Sequence, residues 1–150
     1  MRTKVSLAIA AAVLVLGLVA GTTGAIAGPN LTAPITIKVF TKLIHQNSTG
    51  TAQGDQLVVN DFLTQNGKVV GSDGQVCTWT NTSKKQLQCV WTLSLFVRGQ
   101  VVLTGLINFN KATNTLAVTG GTGTLSNVRG SATIGGFSQK TNTITLHLTP

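Results

Sequence analysis

The chain has no glutamate and no tyrosine. Three acids, Asp55, Asp61 and Asp73, face eleven lysines and arginines in 150 residues. With so few acids and only His45 and His147 as imidazoles, no Ser-His-acid set assembles at any sensible spacing. Cys77 and Cys89 are the only cysteines and no histidine lies near them, which is too few ligands for zinc, so no metal and no cofactor is expected. Aromatic residues make up 5% of the chain and do not interleave with the basic ones. Lys84-Lys85 is the only adjacent basic pair in the exported part. A nucleic-acid stacking surface is therefore not expected, despite a net charge of +8. A looser attraction to anionic polymers or carbohydrate outside the cell rests on charge alone.

Only one long apolar run exists, SLAIAAAVLVLGLVA over residues 6–20. It follows Arg2 and Lys4 and precedes the small-residue triplet Ala25-Ile26-Ala27, the order of a secretory signal. It is shorter than the roughly 18–20 residues that span a bilayer. Residues 1–27 are read as a cleaved signal, and residues 28–150 as one exported, extracellular domain with no membrane segment left. In an exported chain, two cysteines predict a Cys77–Cys89 disulfide.

Beyond residue 33 no helical period is found. Apolar and β-branched segments alternate with turn residues, which predicts eight strands over 34–44, 55–64, 68–80, 86–98, 100–109, 114–119, 124–134 and 141–149. Residues 46–54 read as a polar, flexible loop. Gly71 and Gly74 predict a bulge or bend in the third strand. Short turns between sequential antiparallel strands favour an all-β fold: a single eight-stranded up-and-down β-barrel, closed so that no edge is exposed. Such an interior either fills with side chains or holds one small ligand.

A hairpin centred on Ser83 sets Cys77 opposite Cys89 and puts both on one face with Trp79, Leu87, Trp91, Leu93 and Leu95. That face is expected inside, with Trp79, Trp91 and Leu93 lining any cavity. Val90, Phe96, Phe40 and Ile44 would then point outward, an apolar surface that self-association would cover. In strand two, Leu57, Val59, Asp61 and Leu63 share a face. Inward, Asp61 is an acid in an apolar cavity with a raised pKa and acid-base potential; outward, Asn60 takes its place. His147 is expected to face solvent.

The stretch VTGGTGTLSNVRG, residues 118–130, fails as a phosphate loop because no Lys-Ser or Lys-Thr and no helix follow it. It reads as a positive-φ turn between strands six and seven. AVTGGTGTLSNVRGSATI resembles the GGTG-x(5)-RG stretch of dirigent proteins and the glycine-rich stretch of allene oxide cyclases. GDQLVVNDFLTQNGKVVGSDGQVC resembles their second and third strands, and Cys89, Gly99 and Gly105 continue in order over about residues 35–148. The resemblance implies an eight-stranded, often trimeric, barrel with a hydrophobic cavity. It implies an isomerase-like cyclisation or stereoselective coupling of a small hydrophobic ligand. Arg129 matches the dirigent RG arginine, Cys77 a pocket cysteine, and Asn60-Asp61 a second-strand asparagine. The family's first-strand carboxylate has no counterpart, its position falling near Thr41. The alternative is a non-catalytic extracellular binding or structural module with a packed interior.

Overall fold

The computed structural model describes residues 32–136 and 141–150. The expected signal over 1–27 lies outside the described residues, as does most of the GGFSQK connection. Eight strands form: β1 (Ile35–Ser48), β2 (Gln56–Gln65), β3 (Lys68–Asn81), β4 (Gln86–Leu95), β5 (Gly99–Asn108), β6 (Thr113–Gly121), β7 (Arg129–Gly135) and β8 (Thr143–Thr149). Each pairs antiparallel with its sequence neighbour, and β1 closes the barrel on β8. Alternation along each strand decides what is inside. On β4, Leu87, Cys89, Trp91, Leu93 and Leu95 are buried while Gln88 and Val90 face out.

Cys77 lies directly across from Cys89, and the two are disulfide-bonded. The Ser83-centred pairing therefore holds over most of that hairpin, with a shift only at Thr80.

Three expectations are corrected. Residues 124–128 are not strand: Gly123–Leu125 form a turn of 3-10 helix, and β7 starts at Arg129. Gly123 (φ +63°) and Asn127 (φ +72°) are left-handed, which interrupts an extended strand. β1 continues through 45–48 into the segment read as a flexible loop. The rest of that segment closes on Asp55, whose carboxylate accepts from the Ala52 N–H at 2.8 Å and the Thr49 hydroxyl at 3.3 Å. Finally, β4 stops at Leu95, and residues 96–98 turn the chain into β5.

The two ends of the barrel differ. At one end, where β1 enters and β8 leaves, Leu125 and Val128 of the β6–β7 connection are buried in the core. That connection is pinned to the β4–β5 turn, with Thr124 N–H and Oγ1 both donating to the Arg98 carbonyl at 2.9 Å. A side chain at Gly123 would come within 2.7 Å of the same carbonyl. The glycines of GGTG thus serve backbone-to-backbone contact, and the turn reading of the loop stands in place of a phosphate cradle. The opposite end, where β1 leaves and β2 begins, is open.

Candidate functional site

The open end leads into a cavity of about 290 Å³. Its rim carries Leu43, Gln46, Leu57, Phe109 and Asn142, and its wall Thr41, Val59, Gln75, Ile107 and the Cys77–Cys89 bridge. Asp61 lines it from β2.

Asp61 points inward and is 2% exposed, while Asn60 is on the outside, its amide donating to the Asp73 carbonyl. Directly across from Asp61 on β3 stands Asp73, 3% exposed. Two buried carboxyls are therefore cross-strand neighbours, and none of the described basic side chains forms an ion pair with either.

A bulge makes the pair. The turn at Asn66-Gly67 pairs Gln65 with Lys68 and Thr64 with Val69. Continued without interruption, that register would set Asp61 against Ser72 and leave Asp73 outside. The shift between Leu63 and Thr64 leaves Val70 unpaired, sets Leu63 against Gly71, and turns Asp73 into the barrel. The sequence expectation of an irregularity near Gly71 is met, and its consequence is chemical.

Burial raises the pKa of both carboxyls. Desolvation is the larger cause for Asp61, opposed by the Thr41 hydroxyl. Thr41 Oγ1 accepts from the Asn142 N–H at 3.1 Å, so its own proton is available for Asp61. Asp73 is pushed up to about 7, by desolvation first and by the charge of Asp61 second; the Trp91 indole and the Asp61 backbone pull the other way. The indole N–H is near enough to act on Asp73 without forming a well-aligned hydrogen bond, so Trp91 Nε1, both Asp73 oxygens and Asp61 Oδ1 are buried and unpaired. Neighbouring acids of this kind release their protons as a pair, and this pair retains one proton up to about neutral pH.

The other candidate residues fall elsewhere. Trp91 is fully buried beside Asp73, and Leu93 is buried in the core; neither lines the cavity. Trp79 is half-buried and packs on Phe109 of the rim, with ring centroids 6.1 Å apart. Arg129 begins β7 at the closed end, where its Nη1 donates to the Val128 carbonyl at 2.8 Å, so it is remote from the cavity. His147 is exposed, as expected. Asp73 was not anticipated. The signal for it was alternation along β3, which puts Asp73 on the face of Cys77, with Gly71 marking the bulge that sets it against Asp61.

The barrel is of the dirigent type. Two pterocarpan synthase dirigent proteins superpose with TM-scores of 0.63 and 0.64, both at 16% identity, over 78% and 77% of this chain and 94% and 85% of theirs. A pyocyanin demethylase superposes with a TM-score of 0.71 at 30% identity, over 77% of this chain and 100% of its own. The chain belongs to the family of that pyocyanin demethylase. No protein-family model matches the chain, and no curated protein sequence does. Among the described residues no helix is long and apolar enough to cross a membrane.

Proposed function

We propose that this is an exported barrel that binds one small hydrophobic ring compound over Asp61, and that the Asp61–Asp73 pair moves a proton on it. The observation that carries the reading is the pair itself: two uncompensated carboxyls on adjacent strands, one of them facing a cavity. Burying such groups costs stability, and strained chemistry of this kind concentrates at functional sites. With one proton shared, the pair offers a base and an acid side by side, which suits an isomerisation or a cyclisation that returns the proton it takes. The cavity is at the small end of the roughly 300–1,000 Å³ range of ligand pockets, which favours a few fused rings over a long chain. The relatives' names support that class: one is a pyocyanin demethylase and two are pterocarpan synthase dirigent proteins. Pyocyanin is accordingly the first compound to test.

The test is exchange of ligand hydrogen for solvent deuterium, followed by NMR. Asp61→Asn is expected to slow it by about 10²–10⁴-fold while ligand still binds. Exchange that survives the substitution unchanged removes Asp61 as the proton carrier.

Export and self-association are part of the same reading. Val58, Val76 and Val90 are in direct cross-strand register on the outer surface and 41%, 44% and 50% exposed, an apolar ladder that a second copy would cover. Sedimentation should show an oligomer that Val76→Lys dissociates. The exported protein should begin at Gly28; an intact Met1 contradicts the signal assignment.

A further inference from the structure

At the closed end of the barrel, the β4–β5 turn presents Phe96 and Val97 to solvent. Val97 is 100% exposed and Phe96 58%. The turn is closed by the Arg98 N–H donating to the Leu95 carbonyl at 3.2 Å, and Val97 takes its third position with φ +57°. That position ordinarily belongs to glycine or asparagine. Among the described residues Val97 is the only β-branched one with positive φ. It therefore pays twice, once in backbone strain and once in exposed apolar surface, and the isolated barrel recovers neither cost. Beside it, Val69 of the neighbouring hairpin is 49% exposed, and the Phe96 N–H donates to the Val70 carbonyl at 2.9 Å, joining the two turns into one patch. Behind the patch runs an open groove of about 490 Å³ floored by Ile37 and Val39, with Thr36, Gln65 and Arg98 on its walls.

The charge around this patch has one sign. Lys68 and Arg98 flank it, and both are exposed. None of the chain's three acids is available here: Asp61 and Asp73 are buried in the barrel, and Asp55 lies at the open end. We propose that this end is a docking surface for an anionic lipid membrane, with Phe96 and Val97 entering the acyl boundary and Lys68 and Arg98 meeting lipid phosphates. A second copy of the chain fits less well, because a two-fold contact through this patch would set its flanking basic side chains, Arg98 and Lys68, against basic side chains of the copy. The cavity of the proposed function opens at the opposite end and would stay accessible.

The test is co-sedimentation of the full chain with vesicles of phosphatidylcholine alone and of phosphatidylcholine containing phosphatidylglycerol. Every variant carries the same N-terminal run, so comparison of variant with parent on one vesicle type isolates the patch. Binding is expected to be stronger on the anionic vesicles and to fall with salt. Lys68→Gln and Arg98→Gln should each weaken it roughly fivefold, at about 1 kcal/mol per basic residue near an anionic surface. Val97→Asn should separate docking from folding: it relieves the strained turn and raises the melting temperature by about 4 °C or more, yet weakens vesicle binding. Equal binding to both vesicle types overturns the proposal. So does Val97→Asn that binds as the parent does, or that changes the oligomer mass instead, which would assign the patch to a second copy.

Discussion

Asp73 is the residue on which stability and chemistry meet. Its carboxyl has a pKa of about 7 in the folded barrel against 3.8 for an unperturbed aspartate. A raised acid holds its proton in the native state over a window where the unfolded chain has lost it. The folded state then binds more protons than the unfolded one, so stability falls as pH rises from about 4 to about 7. The full effect is on the order of 4 kcal/mol. Thermal unfolding should show the melting temperature declining across that window, and Asp73→Asn should flatten the decline and leave the protein more stable than the parent at pH 8. A parent whose melting temperature rises from pH 4 to 7 contradicts the buried, uncompensated pair. Thr41 acts in the opposite sense on Asp61, and Thr41→Val should push that carboxyl's pKa higher still, as read by carbonyl NMR titration.

Among the elements, two connections carry more than their length suggests. The Cys77–Cys89 bridge spans 12 residues and joins β3 to β4 at the cavity wall. Replacing both cysteines with serine should cost about 3 kcal/mol in the chain-entropy account, measured by denaturant unfolding, and less if the hairpin persists in the unfolded chain. The GGTG connection is held by main-chain bonds to the β4–β5 turn, so Gly123→Ala should cost roughly 1–3 kcal/mol through its positive φ alone, plus the clash with the Arg98 carbonyl. The strands themselves were legible because the alternation of apolar and polar residues and the spacing of turn residues are local. Cys77 and Cys89 even yielded a correct cross-strand pair by counting from Ser83. The 3-10 turn at Gly123–Leu125 was not legible. Thr124, Leu125 and Val128 look like strand residues, and only their packing into the barrel end and the left-handed Asn127 show otherwise.

For the whole molecule, closure sets what the interior can hold. The sequence left two interiors open, filled or hollow, and both occur in one barrel. Trp91, Leu93, Leu63 and Leu125 fill the middle of the barrel, the half under Gln46 and Leu57 is hollow, and a separate groove floored by Ile37 and Val39 opens beside the β4–β5 turn at the other end. Trp79 and Trp91 were expected to line the hollow because they share its face. Shared face is not shared depth: Trp91 packs deeper, beside Asp73, and Trp79 meets Phe109 at a tilted angle at the rim. Asp61 was placed as one of two register alternatives and proves to be the inward one. Asp73 shares the face of Cys77 by simple alternation along β3; what needs the position of a single bulge is its meeting with Asp61 across the β2–β3 pair, and that is held in the fit of Gly71 against the Ser94 carbonyl.

The central claim is that the hollow half holds one small ring compound over Asp61. Calorimetric titration of the barrel with pyocyanin, run beside the Val59→Trp variant that fills the cavity wall, addresses it most directly. The account predicts saturable binding of one ligand per chain with a negative heat-capacity change, abolished by Val59→Trp while the variant stays folded. Binding that is unaffected by filling the cavity, or no saturable binding of pyocyanin or of comparable fused-ring compounds, would contradict it.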